Sequence, residues 1–162
     1  MEPHKILKGK RVLVVDDEED VLFMIVDLLE MCKIDTASSF EQAKKLLQNN
    51  YYDIAILDIM GVRGYELLKI AREKGVPALM LTAHALTKED LKKSAKEGAS
   101  FYAPKDEMNN IDVYVADVLE AKEKNKNVWA KWYERLAGFC DKRFGPNWRD
   151  QDREFWDDII KY

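Results

Sequence analysis

The sequence predicts an α/β domain with a doubly wound, five-stranded parallel sheet, followed by a C-terminal α-helical hairpin. Short apolar runs alternate five times with stretches in which apolar residues recur every three or four positions. The runs show no polar alternation, which indicates strands that are buried on both faces of a parallel sheet. After residue 128, aromatic residues follow the same helical spacing and predict the hairpin.

The composition is that of a globular protein: of 162 residues, 47% are hydrophobic and 35% are charged. The net charge of −4 argues against nucleic acid as the main partner. No apolar run approaches the length of a membrane span, and the N-terminus lacks the apolar core of a signal peptide. We therefore expect a cytoplasmic protein with no membrane partner, in which Cys32 and Cys140 are buried free thiols.

The predicted strands and helices alternate along the chain. The strands are expected at 12–15, 34–37, 54–57, 76–81 and 100–103. The helices are expected at 19–33, 40–49, 64–74, 88–98 and 110–123. Ser39 and Thr87 are suited to cap the second and fourth helices, and Gly75 to end the third. The connections are short, as expected of a doubly wound sheet.

Four of the predicted strands end in, or are followed by, polar residues for which the strands themselves give no structural reason. Asp16 and Asp17 follow the first strand, and Asp58 ends the third. Thr82 follows the fourth strand, and Lys105 lies just past the fifth. Because the carboxyl ends of parallel strands share one edge of the sheet, where ligands bind in such folds, we expect these side chains to form one site.

The residue types at this edge indicate phosphoryl chemistry. Converging carboxylates repel one another unless a cation lies among them, and oxygen ligands suit Mg²⁺. A lysine ammonium and a threonine hydroxyl would complete a cradle for a phosphoryl group carried on Asp58. A carboxylate can act as the nucleophile that forms an aspartyl phosphate.

With these motifs the chain resembles the response-regulator receiver domains of two-component signal transduction. The motifs are the segments 12–18, 55–60, 81–83 and 102–105, in the family's order and each at a strand end. The resemblance covers about residues 9–124 and implies the flavodoxin-like (βα)5 fold. We therefore divide the chain into a receiver domain, 1–124, and a helical C-terminal extension, 125–162.

The resemblance implies a metal site and a phosphoacceptor. Asp58 matches the residue that accepts the phosphoryl group, and Asp16 and Asp17 match residues that bind Mg²⁺. Asp58 itself and the backbone carbonyl of Met60, two residues further on, would complete the metal's protein ligands.

The resemblance also implies residues that act around the phosphoryl group. Thr82 would hydrogen-bond one phosphoryl oxygen, and Lys105 would pair with another. Tyr102 matches the aromatic switch residue that changes rotamer together with Thr82. Met60 and His84 occupy the positions that tune attack by water; since Met60 cannot orient a water molecule, we expect slow autodephosphorylation.

The sequence departs from the family pattern in two places. The loop after Asp58 reaches Gly64 in six positions instead of about eight and contains no proline, so we expect it to be more mobile. The family usually has lysine followed by proline with a cis bond between them, whereas here Pro104 precedes Lys105. Any cis bond would therefore be Ala103–Pro104.

The C-terminal extension is too short for the DNA-binding domains attached to many receivers. From residue 128 onward it carries seven Lys or Arg residues and seven Asp or Glu residues, so no DNA binding is expected. The hairpin either packs onto its own receiver or forms a surface for a homodimer or another partner. The candidate surface residues are Trp129, Trp132, Tyr133, Trp148 and Trp156.

The leading hypothesis is a phosphorylation-dependent signalling switch in a phosphorelay. It would accept a phosphoryl group from a histidine kinase or phosphotransfer protein with the help of Mg²⁺, and signal through a protein partner. It would catalyse only its own phosphorylation and dephosphorylation. A degenerate receiver that works without phosphate is the alternative. An Asp-nucleophile phosphatase is disfavoured, because such enzymes carry Asp-x-Asp after the first strand and this sequence does not. A flavodoxin-like FMN binder is also disfavoured, because the five consecutive acids there would repel the phosphate of FMN.

Overall fold

The computed structural model describes residues 3–83 and 87–160, and it contains a five-stranded parallel sheet. The strands are β1 (Arg11–Val15), β2 (Lys33–Ala37), β3 (Ile54–Asp58), β4 (Ala78–Thr82) and β5 (Phe101–Pro104). Their order across the sheet is β2-β1-β3-β4-β5, and every neighbouring pair is parallel. This confirms the predicted fold class.

Six helices pack around the sheet. They are α1 (Pro3–Leu7), α2 (Glu19–Leu28), α3 (Phe40–Asn49), α4 (Gly64–Glu73), α5 (Lys88–Lys96) and α6 (Ile111–Glu123). A 3₁₀ helix, Lys105–Asn110, connects β5 to α6. Both predicted N-caps form, because Ser39 Oγ accepts a hydrogen bond from the Gln42 N–H and Thr87 Oγ1 from the Asp90 N–H. None of the described helices could cross a membrane, because each is too short or too polar.

Helix α2 ends five residues before the predicted boundary, and α1 was not predicted. The apolar spacing continues beyond Leu28, but the buried residue Leu29 lies in a turn and not in the helix. In that turn the Cys32 N–H donates to Leu29 O, and the Gly9 N–H donates to Met31 O. The bond from Gly9 ties the turn to the residues just before β1, so the chain enters β2 early.

The apolar core is densest in the central strands. Every residue of β3 and β4 is buried, as is β1 from Val12 onward. Strand β2 forms one edge of the sheet and is partly exposed, whereas β5, at the other edge, is fully buried. An edge strand that is buried must be covered by something outside the sheet.

The C-terminal hairpin covers β5. It consists of α7 (Val128–Phe144) and α8 (Arg153–Ile160), joined through a turn and the 3₁₀ helix Asp150–Asp152. Helix α7 packs against both β5 and α6. The Trp129 indole N–H donates to Ala99 O at 3.0 Å, and the Trp132 indole N–H donates to Tyr102 O at 2.8 Å. The hairpin is therefore bonded to the main chain of the receiver.

The hairpin's tryptophans form one buried cluster that is continuous with the receiver core. The ring centroids of Trp132 lie 5.0 Å from Trp129 and 5.9 Å from Trp156, and those of Trp148 and Trp156 lie 5.3 Å apart. All four rings are buried, and Tyr133 is half-buried. Of the two arrangements left open by the sequence, this packing favours the hairpin on its own receiver. A homodimer stays a prediction.

Polar contacts of Asn127 and Arg135 fix the hairpin. The Asn127 side chain accepts a hydrogen bond from the Trp129 N–H at 2.9 Å and donates to Ile159 O at 2.9 Å, joining the start of α7 to the end of α8. About two turns further along α7, the Arg135 guanidinium donates both to Asp117 Oδ2 at 2.9 Å and to Asp117 Oδ1 at 3.1 Å. Asp117 belongs to α6 and is buried, so its carboxylate depends on this partner.

We expect Arg135→Met to lower the free energy of unfolding by about 1–3 kcal/mol, because it leaves the Asp117 carboxylate buried without its cation. Lys131→Met is the matched control. The Lys131 ammonium pairs with Glu134 at 3.4 Å on the exposed face of the same helix, so its loss should cost less than about 0.5 kcal/mol. Urea unfolding followed by tryptophan fluorescence measures both, and equal losses would contradict the assignment.

Candidate functional site

Neighbouring strands bring the two central carboxylates together. In the β1–β3 pairing Val15 lies opposite Leu57, so Asp16 and Asp58 are the next residues along two adjacent strands. Both are buried, with exposed fractions of 0% and 3%. The Asp16 N–H donates to Ala37 O and the Ile59 N–H to Leu81 O, which fixes the main chain beside each carboxylate.

Lys105 reaches these carboxylates from beyond β5. Its ammonium lies 2.8 Å from Asp16 Oδ2 and 3.4 Å from Asp58 Oδ1. It also lies 3.2 Å from Glu18 Oε1. Thr82 ends β4, which lies between β3 and β5, and its side chain is buried. The site predicted from Asp16, Asp58, Thr82 and Lys105 therefore lies at one edge of the sheet.

Asp17 and Glu18 extend the acidic group toward solvent. A carboxylate oxygen from each of Asp16, Asp17 and Glu18 lies within 4.8 Å of the others. An acid at the start of a helix such as α2 also has a structural explanation, because it suits the helix dipole. In the structure Glu18 is the N-cap, makes no capping hydrogen bond with its side chain and contacts Lys105. Its place in a run of five acids was the signal for a role at the site.

Two glycines shape the loop that follows Asp58. A Cβ atom at Gly61 would overlap the Asp17 carboxylate, and one at Gly64 would overlap the main-chain oxygen of Asp58. The loop closes through hydrogen bonds from the Arg63 N–H to Met60 O at 3.0 Å and from the Gly64 N–H to Ile59 O at 3.1 Å. The shortened loop thus follows the acidic cluster closely.

Arg63 anchors the same loop from outside. It adopts a left-handed backbone conformation, with φ of 56°, at the N-cap of α4. Its guanidinium lies 4.0 Å from the centroid of the Phe40 ring and pairs with Glu66. The Met60 side chain beside it is 72% exposed. The loop is therefore held by contacts on both sides of Met60, while Met60 itself faces solvent.

The carboxylates carry more negative charge than Lys105 neutralises. Burial, reinforced by the charge of Asp16, raises the pKa of Asp58 to about 6, although Lys105 acts in the opposite direction. Burial also raises the pKa of Asp16 against the effect of Lys105. For Lys105, burial disfavours the charged form, but the close contact with Asp16 and the charge of Asp58 outweigh it and raise the pKa. A further cation would relieve this imbalance.

The donor set fits Mg²⁺. Asp16 Oδ2 contacts the Lys105 ammonium as an ion pair, but it accepts no hydrogen bond of good geometry from any described residue. Asp17 adds a more exposed carboxylate, which suits an ion that retains several waters. The predicted Met60 carbonyl accepts the hydrogen bond from Arg63 and keeps one lone pair for a metal. Asp16, Asp17, Asp58 and this carbonyl are the groups that would hold the ion.

Tyr102 lies on the far side of Thr82 from the acids. Its side chain is buried, and its hydroxyl has no hydrogen-bond partner among the described residues. Burial raises its pKa, as do Asp90 and Tyr65, while Thr82 acts in the opposite direction. Its predicted role as a switch with Thr82 stays a prediction, and His84, the second predicted tuning residue, lies outside the described residues.

The unusual order of Pro104 and Lys105 does not keep Lys105 from the acids. All peptide bonds of the described residues are trans, including Ala103–Pro104. Pro104 pairs with Thr82 in the sheet, and the chain turns into the 3₁₀ helix at Lys105 itself.

Comparison with solved structures defines the class of protein as a CheY-like receiver fold. A CheY-like response regulator receiver domain from Methanospirillum hungatei JF-1 matches 73% of this chain and 99% of its own, with a TM-score of 0.66 and 25% identity. A response regulator structure from Chloroflexus aurantiacus J-10-fl matches 70% of this chain and 99% of its own, with a TM-score of 0.62 and 30% identity.

Sequence comparison identifies the family. The model of the response regulator receiver domain matches residues 12–116, and the chain belongs to this family. It is 32% identical to the two-component response regulator ARR10 of Arabidopsis thaliana over 83% of this chain and 25% of that protein. It is 34% identical to the heme response regulator HssR of Staphylococcus haemolyticus over 70% of this chain and 47% of that protein. The chain thus spans a quarter to about half the length of these relatives.

Family membership gives the site its general meaning. The chain contains the receiver domain of two-component response regulators, whose members are signalling proteins that histidine kinases or phosphotransfer proteins phosphorylate. Receiver domains generally bind Mg²⁺ at an acidic site, and this chain has the Asp16-Asp17-Glu18 cluster at the corresponding sheet edge.

The raised pKa of Asp58 predicts how stability depends on pH. Between the ordinary value of 3.8 and the folded-state pKa of about 6, the folded protein binds more protons than the unfolded chain. This carboxyl therefore lowers stability as pH rises through that window, and the penalty stays constant above it. In EDTA we expect Asp58→Asn to raise the free energy of unfolding by about 1–3 kcal/mol at pH 7.5 and to change it little near pH 4.

Urea unfolding at the two pH values measures the difference. Asp53→Asn is the control, because Asp53 begins the same segment at the opposite end of β3 and accepts a hydrogen bond from the Arg11 N–H at 2.8 Å. It should give no gain at pH 7.5. A gain for Asp58→Asn that is equal at both pH values would contradict the charge imbalance.

Proposed function

We propose that this chain is a cytoplasmic phosphorylation-dependent switch that accepts a phosphoryl group on Asp58 from a phosphohistidine. The observation that carries the proposal is the arrangement around Asp58. Its carboxylate is buried at the sheet edge, 3.4 Å from the Lys105 ammonium, beside the acidic cluster. A structural aspartate at a strand end needs neither the lysine from β5 nor the excess of acids from β1.

The transfer is a substitution at phosphorus. An oxygen of ionised Asp58 forms the new O–P bond while the N–P bond of the donor breaks, and the released imidazole takes up a proton from solvent. Mg²⁺, held by Asp16, Asp17 and Asp58, would neutralise charge on the phosphoryl oxygens. Lys105 would move its contact from Asp16 toward the phosphoryl group, and the Thr82 hydroxyl would donate to one of its oxygens.

The site also favours a carboxylate that can be phosphorylated near neutral pH. Asp58 is mostly ionised above its pKa of about 6, yet it is poorly compensated there. A bound divalent cation would relieve the repulsion between Asp58 and Asp16 and would offset the negative charge that the phosphoryl group adds. The energy for a conformational change would then come from rearranged charges at this edge.

We expect the chain to be phosphorylated by acetyl phosphate in the presence of Mg²⁺, as measured by mass shift and by phosphate-affinity electrophoresis. Asp58→Asn should abolish the shift, because it removes the carboxylate that we propose as the phosphoacceptor. Asp53→Asn should leave it unchanged, since Asp53 lies at the opposite end of that strand. Persistent modification of the Asp58→Asn variant would exclude Asp58 as the acceptor.

An unmodified wild-type chain would instead support the degenerate receiver. That alternative is favoured by one observation: Lys105 already closes the site through its 2.8 Å contact with Asp16, without a phosphoryl group. Beryllofluoride with Mg²⁺ separates the two, because a phosphate-independent module should show no binding of this phosphoryl analogue.

The phosphorylated chain should lose its phosphate slowly. The exposed Met60 side chain offers no hydrogen bond that could orient an attacking water. We expect a half-life of at least many minutes for radiolabelled protein, and a shorter one for Met60→Gln, whose amide can hold a water. A wild-type half-life of seconds would contradict the role given to Met60.

The donor must be able to reach a nearly buried carboxylate, so it must contact the rim of the site. Helix α2 begins directly after the acidic cluster, and its Phe23 side chain is 71% exposed. Phe23 and Val26 of α2 line one side of a shallow groove, and Thr36 near the end of β2 and Gln42 in α3 line the other side. We propose that the protein donor docks here, because this apolar surface adjoins the route to Asp58.

The donor for this test is a phosphohistidine protein that phosphorylates the wild-type chain. Phe23→Ser should slow phosphotransfer from this donor by about ten-fold. It should leave the rate with acetyl phosphate unchanged, because the small donor needs no docking surface. Tyr51→Ser is the control: Tyr51 is also exposed, at 61%, but it precedes β3 at the opposite end of the sheet. Equal slowing with both donors would show that Phe23 supports the site rather than the docking.

A further inference from the structure

The outer side of β5 is bonded to the hairpin rather than to water. Strand β5 pairs with β4 on one side only, so the carbonyls on its other side need donors from outside the sheet. Two indole N–H groups of α7 supply them, Trp129 at Ala99 and Trp132 at Tyr102. Both hydrogen bonds are buried, which makes each a firm restraint on the strand.

Helix α7 binds the main chain of Tyr102 and also contributes to the environment of its side chain. Trp132 binds the Tyr102 carbonyl at 2.8 Å, and the Tyr102 ring lies in the core. Burial, Asp90 and Tyr65 contribute most to the raised pKa of the phenol, and Cys140, two turns along the same helix, adds a smaller contribution. The position of Tyr102 therefore depends on α7.

The part of β5 that Trp132 restrains is the part that builds the site. Lys105 follows Tyr102 by three residues, with only Ala103 and Pro104 between them. Pro104 in turn lies opposite Thr82 in the β4–β5 register. Ala99, the partner of Trp129, precedes the strand and is twice as far along the chain from Lys105.

We infer that Trp132 is a positioning residue for phosphoryl binding, through which the C-terminal hairpin and Asp58 are coupled. Its indole N–H holds the Tyr102 carbonyl, and this keeps Lys105 and the end of β5 in the arrangement that receives the phosphoryl group. The coupling is reciprocal: phosphoryl binding at Asp58 makes the hairpin more firmly docked. The inference rests on the proposed function.

The test measures beryllofluoride binding to the full chain by ¹⁹F NMR at saturating Mg²⁺. Trp132→Phe keeps an aromatic ring in the cluster and removes the donor to Tyr102. Trp129→Phe removes the equivalent donor to Ala99 and serves as the matched control. We expect about five-fold weaker binding for Trp132→Phe, and binding within about two-fold of wild type for Trp129→Phe.

A second measurement uses the wild-type chain, so that it does not depend on how well the variants fold. Hydrogen exchange of the α7 amides should slow by about five-fold on addition of beryllofluoride and Mg²⁺, and the effect should vanish in Asp58→Asn. Circular dichroism and thermal unfolding establish that both tryptophan variants are folded.

The outcomes separate this inference from the proposed function. If wild type binds beryllofluoride, but the two variants bind it equally well or α7 exchange is unchanged, the coupling is wrong and the phosphoacceptor stands. Tighter binding by Trp132→Phe would also overturn the inference. If wild type does not bind beryllofluoride at all, both the function and the inference fall.

Discussion

The structure depends on two carboxylates, Asp16 and Asp58, that share one ammonium inside the protein. Neighbouring parallel strands must end side by side to bring the acids together, and a third strand must end nearby to deliver Lys105. Since the acids are buried and outnumber the lysine, the pKa of Asp58 rises to about 6. The same imbalance that costs stability makes the edge attractive to a divalent cation and a phosphoryl group.

The loop and helix around this edge are fitted to the acids. Gly61 leaves space for the Asp17 carboxylate, and Gly64 lets α4 begin against the main chain of Asp58. A side chain at either position would push the loop away from the cluster. The loop is short, yet hydrogen bonds at Met60 and Ile59 and the stacking of Arg63 on Phe40 hold it. Near the site, the apolar side chains of Met60 and Phe23 are exposed together with the acids Asp17 and Glu18.

The hairpin covers the edge strand of the sheet. The last strand of an open sheet presents unpaired carbonyls, and these favour unwanted pairing with other chains. Here two indole N–H groups occupy them, while the indole rings extend the core around the edge. The ion pair of Arg135 with the buried Asp117 joins α7 to α6. The hairpin thus joins the receiver at the strand that contains Tyr102 and leads directly to Lys105.

The sequence by itself determined the alternation of strands and helices, because hydrophobic periodicity and capping residues are local. It also determined the set Asp16, Asp58, Thr82 and Lys105, because parallel strands must end on a common edge. Tertiary structure decided the early end of α2, since the main-chain hydrogen bond from Gly9 to Met31 holds the turn after the helix although the apolar spacing continues. Only the tertiary structure showed that Glu18 pairs with Lys105 and that the tryptophans pack on β5. Helical spacing shows that a face of a helix is apolar, but not which surface covers that face.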